Sequence, residues 1–353
     1  MYQEEIIKEF KRKIESEPNN IEYCKDLANY YVGLNDLTNA LHIYEDILRV
    51  YPDDFQSLIN AGSIYFYKKM FLEAINCYNK ALENHGDNYC IFYNLGNVYA
   101  EIENFELALL NYQKANKLRP DSADVYSALG YLYQDINNLD LAIQYYKKAL
   151  KYDSKNYEIY MNIANIEHKR GNDVEALLQY QKAYELNPND KKTTLSLANA
   201  YSDIKNFKLA HTYFEKAVAL DENYYPTRVC RAVAFCDENK HEEAIKELKI
   251  AIELVPSKPN AYILLANLLF EEKRYEEALS LYKTAHKIMP DNPKYLVFIA
   301  NTYIFLNDIE QAVKYYRKAM IAAPKDNEIK LIYIETASKY IEEKAKDRKW
   351  THL

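Results

Sequence analysis

Six asparagines recur at whole multiples of 34 residues from one another: Asn29, Asn97, Asn165, Asn199, Asn267 and Asn301. Asn60, Asn94 and Asn162 form a second series three residues earlier in the same frame. A carboxamide offers one acceptor oxygen and two donor hydrogens, so a row of them can pair with both C=O and N–H of an extended peptide whatever its side chains. That chemistry grips a backbone; it makes and breaks no bonds. Residues suited to catalysis are scattered instead. The histidines His42, His85, His168, His211, His241 and His286 occupy six different places in the frame, and no pair has the three- or four-residue spacing of helical metal ligands. There is no glycine-rich phosphate loop and no nucleophile elbow. The five cysteines, Cys24, Cys77, Cys90, Cys230 and Cys236, show no C-x2-C spacing and read as small apolar side chains, not as a disulfide framework or zinc site. Neither cofactor nor metal is expected.

The elements that position these amides follow from the same period. With position 1 at Ile21, nine alanines fall at position 20, from Ala40 to Ala312 in unbroken steps of 34. Such a period signals stacked units, each unable to bury its apolar face alone. Position 8 is always small, with Gly62, Gly96 and Gly130 in three units and alanine in the rest. Position 24 is aromatic except for Leu248, and position 27 is alanine except for Ile47. Positions 4, 7, 8 and 11 trace one helix face, and positions 20, 24 and 27 trace another after a break. Proline at position 32 in six units, Pro52 for example, punctuates helix ends. Two helices per unit are predicted, with large rings meeting small partners.

Units such as Phe92, Leu95, Gly96 and Tyr99, then Ala108, Tyr112, Ala115 and Pro120, resemble the tetratricopeptide repeat over residues 21–326. The resemblance implies an all-α fold, a right-handed α-solenoid superhelix of antiparallel helix pairs. Residues 1–20 read as a capping half-repeat, 21–326 as nine tandem repeats, and 327–353 as a closing helix and charged tail ending near Trp350. In this family positions 2, 5, 6, 9, 12 and 13 line the concave face. Both asparagine series lie there, which resembles the asparagine ladder in the repeat region of O-linked N-acetylglucosamine transferases.

The net charge of −7 and pI near 5.7 do not suit a rod that neutralises phosphates. Acids recur on the concave positions (Glu101, Asp135, Asp203, Asp237, Glu271), so neutral or basic partner segments are favoured over nucleic acid. No apolar stretch reaches membrane-span length and Met1–Glu5 lacks a signal-peptide pattern, so a cytoplasmic protein is expected. Chaperone cofactors of this family clamp a carboxylate with Lys and Asn at positions 5 and 9, Asn at position 6 of the next unit, then two cations. Lys25, Asn29 and Asn60 match, but Cys90 and Asn94 stand where the cations belong.

The last two units carry Ile263, Leu264, Phe270, Val297, Phe298, Ile304 and Phe305 on groove positions, an apolar run that calls for a cover. A partner segment, a second copy, or the tail with Trp350 are the candidates. In the seventh unit Arg228 and Arg231 occupy core positions 4 and 7, and in the fifth Glu167 occupies position 11; such charges must be paired or reach water. The residues after Asp326 are too few for a catalytic domain. The reading is a non-catalytic adaptor that holds an extended peptide or partner protein. Alternatives are the targeting subunit of an enzyme on a separate chain and a peptide-sensing regulator. The candidate binding residues are Lys25, Asn29, Asn60, Asn94, Asn97, Asn162, Asn165, Asn199, Asn267, Asn301, Phe270, Phe298 and Phe305, with self-association through repeats 8 and 9 a further possibility.

Overall fold

The structure, a computed structural model, describes residues 2–350, with side chains described for 3–342. The side chain of Trp350 and all of His352 therefore lie outside the described residues. Among those described, regular structure is entirely helical, in twenty α-helices. They fall into two compact units, Met1–Ile166 and Glu167–Leu353.

The first unit opens with α1 (Tyr2–Ser16). Helix pairs follow: α2 (Ile21–Gly33) with α3 (Leu37–Val50), α4 (Phe55–Tyr67) with α5 (Phe71–His85), α6 (Tyr89–Glu101) with α7 (Phe105–Leu118), and α8 (Ala123–Asp135) with α9 (Leu139–Tyr152). The division between units falls near the end of α10 (Tyr157–Lys169). The second unit continues with α11 (Asp173–Leu186) and the pairs α12 (Lys191–Asp203) with α13 (Phe207–Leu220), α14 (Tyr225–Asp237) with α15 (His241–Leu254), α16 (Pro259–Glu271) with α17 (Tyr275–Ile288), and α18 (Pro293–Phe305) with α19 (Ile309–Ala322). It closes with α20 (Asn327–Trp350). From α2 to α18 the first helix of every pair spans positions 1–13 of the 34-residue frame.

The turn inside each pair is where the local chemistry repeats most closely. Position 15 has a left-handed backbone throughout: φ is 59° at Asn35, 60° at Asn137, 59° at Lys69, 61° at Lys205 and 77° at Gly171. The N–H of position 16 then returns to the carbonyl of position 11, as from Asp36 to Tyr31 at 2.9 Å and from Arg274 to Leu269 at 2.8 Å. This closes the first helix with its orphan carbonyls satisfied and turns the chain back within three residues. Asp36, Asn104, Asn138, Asn206 and Asp308 at position 16 then cap the second helix through their side chains. The start of the first helix is capped by Asp54, Asn88, Ser122, Asp190 or Asn292 in the same way.

The core is the predicted pairing of small against large. Tyr44, Tyr78, Tyr112 and Tyr146 at position 24 are buried in the first unit, as are Tyr282 and Tyr316 in the second. A Cβ added to Gly96 would lie 2.5 Å from the ring of Tyr112, and one added to Gly130 would lie 2.5 Å from that of Tyr146. Glycine lets the ring approach that closely in these two repeats, and a side chain there would require the ring to shift. The charged core positions are paired. Arg228 reaches Glu247 at 3.1 Å and Arg231 reaches its other oxygen at 3.2 Å, while Glu167 accepts from Asn172 at 2.7 Å. No described helix is long and apolar enough to cross a membrane.

Candidate protein-binding groove

The position-9 asparagines of the first unit sit on the first helix of each pair, one residue past the small position that receives the tyrosine ring. The geometry brings the phenol to the amide. Tyr44 donates its hydroxyl to Asn29 Oδ1 at 2.6 Å, and Tyr112 donates to Asn97 Oδ1 at 2.8 Å. Position 6 of the following repeat joins this network: Asn60 Nδ2 donates to the Tyr44 hydroxyl at 2.9 Å, and Asn162 Nδ2 donates to the Tyr131 hydroxyl at 2.9 Å. Asn94 and Asn97 are half-buried, and Asn165 is exposed and bonded. The amides of Asn29 and Asn97 are therefore built into the fold through their oxygens, and those of Asn60 and Asn162 through their nitrogens.

Lys25 needs a correction. It is only 6% exposed, and its ammonium lies 2.7 Å from Asp54 and 2.9 Å from Glu22. Burial alone would lower its pKa, but these two carboxylates outweigh that and raise it. Asp54 caps α4 through Ser57, and its carboxyl is held below the usual carboxylate range: burial raises it, and Lys25 and Ser57 more than reverse this. Lys25 is thus a structural cation tying α2 to the start of α4 and is not presented to a ligand. Spacing alone gave no sign of it, because Asp54 sits in the loop between repeats.

In the second unit the same tyrosine-to-amide bond recurs from Tyr282 to Asn267 at 2.7 Å and from Tyr316 to Asn301. Asn199 differs, because position 24 of its repeat is Phe214; its Nδ2 points toward Cys230 Sγ at 3.6 Å. Two adjoining clefts open along α14, α16 and α18. One, of about 210 Å³, is lined by Val233, Cys236, Leu264, Asn267 and Glu271 among others. The other, of about 230 Å³, is lined by Asn267, Phe270, Glu271, Tyr282, Phe298 and Asn301. They share Asn267 and Glu271, so an apolar channel passes an amide and a single type of charge, negative.

The apolar run is less bare than its sequence suggests. Ile263, Leu264, Phe270 and Phe298 are half-buried against the core of α14–α18, and the ring of Phe298 lies 5.3 Å from that of Tyr282. Phe305, 54% exposed, packs edge-on against Phe270 at 4.9 Å and lies 5.3 Å from Tyr275. Ile304 and Phe305 are the members that stand exposed. Helix periodicity could not separate them from Phe298, since it places all of these residues on one stripe.

Models of the tetratricopeptide repeat match residues 25–69, 127–191, 55–84, 195–224 and 269–333, and a further model of the repeat matches 96–137 and 233–273. The chain is a tetratricopeptide-repeat protein. No curated protein matches its sequence. Among solved structures, this tetratricopeptide-repeat protein is similar to yeast Tom70, with 17% identity, a TM-score of 0.53, and coverage of 97% of this chain and 93% of that one. It is also similar to a chain of the APC/C hetero-tetramer Cut9–Hcn1, with 16% identity, a TM-score of 0.51, and coverage of 90% of this chain and 64% of that one. At such identities the likeness is one of fold alone.

Proposed function

We propose that this tetratricopeptide-repeat protein is a non-catalytic adaptor that holds an extended peptide or partner-protein segment on the groove positions of its first helices. The observation that carries the reading is the channel along α14, α16 and α18, where the half-buried rings of Phe270 and Phe298 lie beside the amides of Asn267 and Asn301 and the acid Glu271. Apolar clefts with a few convergent polar groups are the usual form of a binding site. Among the described residues, the one charged residue lining either cleft is the acidic Glu271, so an apolar side chain with a neutral or basic neighbour fits better than an acidic one. The fold is shared with a subunit seen in assembly, Cut9 with Hcn1. In this reading the asparagine rows supply the sequence-independent part of the grip, because a carboxamide can pair with a peptide backbone whatever its side chains.

Phe305 gives the cleanest test. Replacing it with Ser removes an exposed ring without opening the core, so helicity by circular dichroism should be unchanged. Affinity for partners captured from native extract should fall roughly tenfold, the scale of an aromatic anchor worth more than about 1 kcal/mol. Unchanged affinity in Phe305→Ser, together with unchanged affinity in the fourfold Asn94, Asn97, Asn162 and Asn165 alanine variant, would remove the groove from consideration.

A further inference from the structure

We infer that the position-24 tyrosines act as positioning residues, fixing Asn29, Asn97, Asn267 and Asn301 at position 9 with their oxygens inward, so that at Asn267 and Asn301 the N–H groups are left for the groove. The groove then selects an extended segment through free main-chain carbonyls. The inference rests on the groove reading above and names what that groove recognises.

A neutral phenol has one hydrogen to give. The rings of Tyr44, Tyr112, Tyr282 and Tyr316 are buried, and that burial raises the phenol pKa, so the hydroxyl stays protonated and donates. Its partner in each case is an asparagine Oδ1 fifteen residues earlier. Turning the amide over would set N–H against the phenol and leave the buried hydroxyl hydrogen without an acceptor, which is the costly outcome for a buried donor. At Tyr44 the hydroxyl is satisfied on both sides. Its oxygen accepts from Asn60 Nδ2 at 2.9 Å and its hydrogen goes to Asn29 Oδ1 at 2.6 Å.

The departures from the pattern follow the same rule. Where position 24 has no hydroxyl, at Leu248, position 9 is the apolar Val233. Where position 9 is not asparagine, the tyrosine finds another oxygen: Tyr78 pairs with Ser63 at 3.2 Å, and Tyr146 donates to Gln134 at 3.1 Å. Asn199, which faces Phe214, turns its N–H to Cys230 and leaves the donor row.

A pinned amide has Nδ2–H left to offer. Asn267 borders both clefts of the second unit and Asn301 borders one. A segment lying there meets donors, so it must bring acceptors. Main-chain carbonyls of an extended chain are free to accept, whereas those of a helix are already bonded four residues on. The neighbouring Glu271 disfavours meeting that demand with a carboxylate.

Tyr112→Phe and Tyr282→Phe test the inference, and both should fold, because Phe214 is the native residue at this position in repeat 6. Side-chain amide NMR is read first, without ligand. The Nδ2 signals of Asn97 and Asn267 should shift and exchange faster in the respective variants. A peptide selected from a random displayed library on the wild-type protein is then the probe. Its affinity should fall about fivefold or more in Tyr282→Phe, the scale of one hydrogen bond. Single thioamide replacements, which weaken one carbonyl acceptor at a time, should reproduce the loss at one residue of the peptide. Unmoved amide signals overturn the positioning role even if Phe305→Ser weakens the same peptide, in which case the groove reading survives. Affinity insensitive to every thioamide replacement overturns carbonyl recognition. Selected peptides that ignore Phe305→Ser and Asn267→Ala alike overturn the groove reading and the inference with it.

Discussion

At the scale of single residues, the same amino acid does different work according to what lies opposite it. Asparagine caps helices at Asn104 and Asn138, and accepts a phenol hydrogen at Asn97. Lysine shows the contrast most sharply, because Lys25 is buried between two carboxylates where a groove cation was expected. Lys25→Met should destabilise the protein by about 1–3 kcal/mol, since it leaves Asp54 poorly solvated and short of a donor. The pH dependence follows from Asp54. Its folded pKa is depressed, so its contribution is present above the unfolded carboxyl pKa of about 4 and is lost as pH falls through the lower folded value. The gap in urea midpoint between wild type and Lys25→Met should therefore narrow from pH about 7 to pH about 3. An equal gap at both would mean that the ion pair contributes nothing.

At the scale of the helix pair, the turn is the strained part. Lys69, Lys205 and Lys273 adopt φ of 59°, 61° and 63°, a region that costs a side chain bearing Cβ about 1 kcal/mol and costs glycine little. Gly171 occupies the equivalent position in its own repeat. Each of the three Lys→Gly changes should raise stability by roughly 0.5 kcal/mol after the larger chain entropy of glycine is counted, measurable as an upward shift in urea midpoint. A fall would show that the lysine side chains make contacts worth more than the strain. The turn position was not singled out from sequence because asparagine, lysine, glutamate and glycine share it; what unites them is the left-handed backbone and the hydrogen bond from position 16 to position 11.

At the scale of the whole molecule, buried phenols recur through both units. Burial pushes Tyr78 and Tyr180 up to about 12. A phenol with a raised folded pKa stabilises the native state fully below its unfolded value near 10, and that stability is lost as pH rises toward about 12, because the unfolded chain ionises first. Urea midpoints should hold to about pH 9 and then drop steeply, with tyrosinate absorbance from the buried rings appearing together with the loss of helicity. Ionisation of all the tyrosines near pH 10 in a fully helical protein would contradict the packing of position 24 against position 8.

The repeat frame, the helix pairs and the small-to-large seam were determined by the sequence alone, because a strict period forces identical local choices at nine places and packing tolerates few residues at positions 8, 20, 24 and 27. What the sequence left open, the tertiary structure decided: that Lys25 is an internal ion pair, that Phe298 packs inward while Phe305 stands out, and that tyrosine hydroxyls hold the asparagine oxygens. Each depends on a partner fifteen to thirty residues away or on the next helix pair. Periodicity assigns a residue to a face, but the depth of its burial and the partner of its polar atom are set only when the neighbouring helices close over it.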